Sequence, residues 1–143
     1  VREIWKVPIS GGPVTRLTEG GAIKAWESRD GRSLYYSTNQ PALWRMPVGG
    51  GPSELVFEFP PDTAWGGEWV PARNGIYWMN FSAQPRPTIE FLTLATGQVT
   101  KVFTPPGDYD AGGGLSVSSD ERWLIIGQRD YFTSDIMMID KLR

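Results

Sequence analysis

A unit of short strands separated by glycine-bearing turns recurs along this chain, and no other feature restricts its fold as tightly. Aromatic or β-branched runs that precede a turn stand at Ile4-Trp5-Lys6-Val7, Leu43-Trp44-Arg45-Met46, Ile89-Glu90-Phe91-Leu92 and Ile136-Met137-Met138-Ile139. They are spaced by 39, 46 and 47 residues. A period in that range marks an array of supersecondary units, each too small to bury its apolar face alone.

Each interval divides in the same way, into strands named A to D from the axis outward. The runs above are strand C. A turn follows, at Ser10-Gly11-Gly12-Pro13, Gly49-Gly50-Gly51-Pro52 or Ala95-Thr96-Gly97-Gln98, and then strand D at Val14 to Leu17, Ser53 to Phe57 and Val99 to Phe103. A longer loop leads to strand A at Ala25 to Ser28, Glu68 to Pro71 and Leu115 to Ser118, whose small and mixed residues suit a crowded axis. Tight turns at Arg29-Asp30-Gly31-Arg32, Arg73-Asn74-Gly75-Ile76 and Ser119-Asp120-Glu121-Arg122 open strand B. Asp-Gly and Asn-Gly are strong hairpin signals because these residues tolerate the left-handed region. Glu121 breaks the pattern. If it sits at a positive φ, Glu121→Gly is expected to stabilise by roughly 1 kcal/mol.

Strand B is the most apolar element, at Leu34-Tyr35-Tyr36, Ile76-Tyr77-Trp78-Met79 and Trp123-Leu124-Ile125-Ile126. Apolar residues at consecutive positions predict burial on both faces, as in a blade held between two others. The expected fold is therefore all-β: a β-propeller of four-stranded antiparallel blades, with about three and a quarter blades in the chain. Residues 1–24 give strands C and D of a leading blade, 25–59 and 60–104 give two full blades, and 105–143 give three strands of a last one. A partial propeller leaves blade faces and edges open, so self-association is expected. Two copies of thirteen strands make six blades with two strands over, Ile4 to Val7 competing with Ile136 to Ile139. The start at Val1 reads as a truncation of something longer.

Composition then removes classes of chemistry. The 143 residues include 17 Gly and 12 Pro but no His and no Cys. Imidazole and thiolate nucleophiles, disulfides and the metal sites built on them are thereby excluded. With a net charge of −2 and scattered Lys and Arg, no basic footprint for nucleic acid is present. No apolar run reaches the roughly 18 residues of a membrane span, so no membrane insertion by a helix is expected.

Ser28-Arg29-Asp30-Gly31-Arg32-Ser33-Leu34-Tyr35-Tyr36, Leu43-Trp44-Arg45-Met46-Pro47 and Gly49-Gly50-Gly51, with Ile4-Trp5-Lys6-Val7-Pro8 and Arg16-Leu17-Thr18, resemble the TolB-type WD40-like propeller repeats. The likeness covers nearly the whole chain and is nearest to C-terminal propellers of large acidobacterial proteins. It implies a binding or sensing module and favours a periplasmic or extracytoplasmic setting. Three departures stand out: Arg29 replaces the usual Pro, Arg73-Asn74-Gly75 is short, and Ser119-Asp120-Glu121 lacks its Gly. No winged-helix or kinase motif occurs in these residues.

Propeller topology sends the D-to-A loops to one face near the channel. Glu19, Asp62, Asp108 and Asp110 then lie beside Trp65 and Tyr109, with Lys24, Trp26, Glu68 and Trp69 where strands begin. The plain reading is that the acids solvate loops and the tryptophans pack between blades. The functional reading is a face that binds protein or peptide. The alternative from another class is part of a hydrolase, either an accessory domain of a peptidase or a glycosidase. The glycosidase would use two of these acids about 5–5.5 or 6.5–9.5 Å apart. No catalytic residue, cofactor or metal ligand is assigned: Asp108-Tyr109-Asp110 is two acids short of a calcium loop, and Ser116, Ser118 and Ser119 have no base to activate them.

Overall fold

The computed structural model describes residues 1–61, 67–106 and 114–127. Twelve strands form among them: β1 (Trp5–Lys6), β2 (Thr15–Arg16), β3 (Lys24–Glu27), β4 (Ser33–Ser37), β5 (Ala42–Pro47), β6 (Glu54–Glu58), β7 (Trp69–Pro71), β8 (Gly75–Asn80), β9 (Thr88–Thr93), β10 (Val99–Phe103), β11 (Leu115–Val117) and β12 (Leu124–Ile126). They make four antiparallel sheets in chain order, β1-β2, β3-β4-β5-β6, β7-β8-β9-β10 and β11-β12. The expected strand at Ile136 to Ile139 lies outside the described residues. Every other expected strand has a counterpart, and Val99–Phe103 agrees end to end.

Alternation along strand B stacks the sheets. Leu34 and Tyr36 on β4 point back to the first sheet and pack with Ala22, Met46, Ile4, Leu17 and Trp44. Tyr35, between them, points forward and joins Leu43, Phe59, Trp69, Ile76, Trp78 and Leu92 in the core between the second and third sheets. On β8 the same division recurs: Ile76 and Trp78 face back, while Tyr77 and Met79 face forward into a core with Val70, Ile89, Leu115, Leu124 and Ile126. Each large side chain buried in these layers contributes about 1.5–3 kcal/mol. The first strands carry the contact between sheets, because β7 lies against both β3 and β11. Strand A, at β3, β7 and β11, is therefore the inner strand of the second, third and fourth sheets.

The last copy of strand B departs from two-sided burial. Leu124 and Ile126 pack backward, but Trp123 is 66% and Ile125 62% exposed. These two occupy the forward-facing positions, and no described sheet lies beyond them.

The A-to-B turns also separate two uses of glycine. Gly31 adopts φ 70° and Glu121 adopts φ 57°, so Glu121 does occupy the left-handed position. Gly75 does not belong to this group. A Cβ there would lie 2.2 Å from the Leu92 carbonyl oxygen and 2.3 Å from the Phe91 ring. Space for the neighbouring strand, and not backbone handedness, requires glycine at the second turn.

Candidate binding face at the loop end of the inner strands

Three of the expected site residues converge where the second and third sheets meet. Lys24 opens β3, Glu68 immediately precedes β7, and Trp69 opens it. The Lys24 ammonium lies 3.6 Å from Glu68 Oε2 and 5.6 Å from the centroid of the Trp69 ring, within cation–π range. Trp69 is fully buried, and its indole Nε1–H donates to Ser37 Oγ at 3.1 Å. Ser37, at the end of β4, is also fully buried. Strand alternation explains the meeting: Lys24 and Tyr35 point forward, whereas Trp69 and Ile76 point back, so the residues of one interface come from alternate positions on two sheets.

Burial pulls the Lys24 pKa below the ordinary lysine value, with the Glu68 carboxylate acting in the opposite direction. The cation is thus partly desolvated and held by one carboxylate and one ring face. Trp26, two residues along the same side of β3, remains 42% exposed. The arrangement offers an ammonium, a carboxylate and an open indole in a short span. Such a surface can take up both hydrogen-bonding groups and apolar side chains of a polypeptide.

Glu19 is exposed and belongs to a different feature. It lines a cavity of about 380 Å³ with Thr18, Tyr36, Thr38, Gln40 and Trp44 among others. There the Tyr36 hydroxyl donates to Ser53 Oγ at 2.8 Å. Asp62, Trp65, Asp108, Tyr109 and Asp110 lie outside the described residues. Of the acids named for a glycosidase pair, Glu19 and Glu68 are described, and Glu68 is engaged by Lys24. Among the described residues no group of three acidic side chains is arranged to hold a metal.

The opposite end of the inner strands carries a cluster that sequence reasoning missed. Glu121 Oε1 accepts the Arg73 backbone N–H at 2.7 Å and lies 3.9 Å from Arg29 Nε. Arg29 also donates to the Ser118 carbonyl at 3.3 Å. Three A-to-B turns are thereby tied together, and each contributes one of the residues that break the repeat pattern. Their coincidence in the A-to-B turn of three successive repeats is the available signal. Within two of the turns the acid is a local brace. Asp30 accepts from the Ser28 hydroxyl at 2.6 Å and from the Arg32 N–H at 3.1 Å; Asp120 repeats this with Ser118 and Arg122. The hydroxyl first, and then the backbone N–H, lowers the pKa of each carboxylate.

Antiparallel sheets stacked through alternating strand positions, with their first strands adjoining, define an all-β protein of propeller-like fold. In agreement, the chain is similar to a chain in the crystal structure of a nidogen/laminin complex, a β-propeller-containing protein, with a TM-score of 0.62 and 16% sequence identity. The match covers 85% of this chain and 47% of that chain, so this chain spans about half the length of the structure it resembles. No family model matches the sequence, and no curated protein does.

Proposed function

We propose that this chain is a non-enzymatic propeller module that binds an extended protein or peptide segment at the loop end of β3 and β7. The carrying observation is the convergence of Lys24, Glu68 and Trp69 at that end, with the Trp26 indole left 42% exposed beside them. Aromatic side chains with an accessible face are disproportionately frequent among residues that dominate protein interfaces. Two further points support the reading. The structural neighbour comes from a complex between two proteins, and the chain has no His or Cys to supply nucleophilic chemistry. The repeat motifs from Ser28 to Gly51 make it, in this reading, a relative of the TolB-type propellers.

Panning a random dodecapeptide display library against the chain tests the proposal. Enriched peptides should bind the parent and lose roughly tenfold or more in affinity, about 1.4 kcal/mol, to Trp26→Ala or Glu68→Gln. Binding to Ile9→Ala, which alters a fully exposed residue elsewhere, should stay unchanged. Peptides that bind all four proteins equally would remove this face as the site.

A further inference from the structure

We infer that the cavity behind the second sheet, which Glu19 lines, is a binding site for a neutral monosaccharide. Its lining runs from Thr18 to Ser53. One side is the backward face of β4 and β5, where Tyr36 pairs with Trp44 and both pack with Ile4 and Leu17. The other side is the loop that joins β2 to β3. Lys24 and Trp69 meet on the forward face of the same sheet, so the two sites are separate.

The loop side is held in place before any ligand arrives. Glu3 Oε2 accepts the Thr18 hydroxyl at 2.8 Å, and its Oε1 accepts the Gly20 N–H at 3.2 Å and the Arg16 guanidinium at 2.9 Å. Glu19 stands between these two anchored residues. Its own carboxylate is exposed and makes no hydrogen bond or ion pair to another described residue. Ligand sites for small molecules are usually pre-formed in this way.

The groups left over across the cavity define the chemistry it can take. The Gln40 side chain is exposed and likewise has no partner among the described residues. Thr38 Oγ1 accepts the Gln40 backbone N–H at 3.1 Å and Ser53 Oγ accepts the Tyr36 hydroxyl at 2.8 Å, so both hydroxyls keep a proton to donate. Trp44 is half-buried, and its indole N–H has no partner among the described residues. Acceptors at Glu19 and Gln40 therefore face donors at Gln40, Thr38 and Ser53, next to one aromatic ring.

A sugar hydroxyl both donates and accepts, and the C–H face of a pyranose suits the negative face of an indole. No Lys or Arg lines the cavity, so an anion would meet the Glu19 carboxylate uncompensated. An alkylammonium ligand would use the ring and the acceptors but leave the donors unpaired. The volume of about 380 Å³ holds about a dozen waters at roughly 30 Å³ each, which is room for one pyranose with bridging waters around it.

Titrating the ¹⁵N-labelled chain separately with glucose, galactose, mannose and N-acetylglucosamine tests the site. At least one of these sugars should shift the Gly20, Gly21 and Thr38 amides and the Trp44 indole N–H, with saturation in the millimolar range. Glucuronate and choline should bind roughly tenfold more weakly or not at all. Glu19→Ala and Gln40→Ala alter exposed side chains and should each weaken the sugar by roughly tenfold with unchanged far-ultraviolet circular dichroism. Trp26→Ala, on the peptide face, should leave sugar binding as it is, so either site can fail without the other. No saturable shift with any of the neutral sugars, shifts confined to other residues, choline or glucuronate binding as tightly as the best sugar, or an affinity unmoved by Glu19→Ala and Gln40→Ala would each overturn the assignment.

Discussion

Replacing Glu121 by glycine sets a backbone gain against a side-chain loss, and the structure gives the sign. Glu121 holds φ 57°, a region that costs a residue with a Cβ about 1 kcal/mol relative to glycine. Counting the backbone alone therefore predicts stabilisation. The same carboxylate, however, accepts the Arg73 N–H at 2.7 Å, a bond to a charged group worth about 1.5 kcal/mol at the low end appropriate to an exposed site. Its 3.9 Å pairing with the partly exposed Arg29 adds about 0.5 kcal/mol. Loss exceeds gain, so Glu121→Gly should destabilise by about 1 kcal/mol, a fall of about 3–4 °C in Tm for a domain of this size. Glu121→Gln keeps an acceptor oxygen for Arg73 and should lose less than half as much. Urea and thermal unfolding of the three proteins measure both values. A Glu121→Gly variant more stable than the parent would refute the reasoning, because it would mean that the link to Arg73 and Arg29 contributes nothing.

Three further outcomes follow from packing and titration. Gly75→Ala drives a Cβ into the Leu92 carbonyl and the Phe91 ring and should cost about 3 kcal/mol or more, read as a large drop in urea midpoint. Trp69→Phe leaves the buried Ser37 hydroxyl without its indole donor and opens space in the core; chemical denaturation should show a loss of about 2 kcal/mol. Lys24 has a folded-state pKa depressed by burial, so just below the ordinary value of 10.5 the unfolded chain binds more protons. Its contribution to stability therefore rises as pH climbs toward 10.5 and is lost as pH falls through the folded pKa. The difference in unfolding free energy between the parent and Lys24→Met should change over that alkaline window and stay flat near neutrality.

Much of the fold is legible because strand and turn signals here are local. Asp30-Gly31 specifies its hairpin through one Asx-type brace and one left-handed glycine, and the consecutive apolar residues of Ile76 to Met79 report two neighbours directly. Trp123 and Ile125 show where that inference depends on more than pattern, since a sequence encodes a face suited to burial without encoding what covers it. The same limit applies to the site. Lys24, Glu68 and Trp69 were legible as residues at strand starts, but their mutual contact and the Ser37 partner depend on how one sheet is set against the next. Loop position groups Glu19 with them, yet its cavity is formed with β4 and β5 and not with β7. The link among Arg29, Arg73 and Glu121 was hidden for another reason: each residue looked like a separate defect of its own repeat.

Successive sheets stack with their inner strands adjoining, which brings Lys24 of one sheet onto Trp69 of the next. A nuclear Overhauser spectrum of the labelled chain tests it directly. Cross-peaks should connect the Trp69 ring protons with the Lys24 side-chain methylenes, and the Trp69 Nε1 proton with Ser37. The Lys24 methylenes should also be shifted upfield by the ring and return toward ordinary values in Trp69→Leu. Lys24 resonances at unperturbed positions with no cross-peak to Trp69 would contradict the stacking and the binding face built on it.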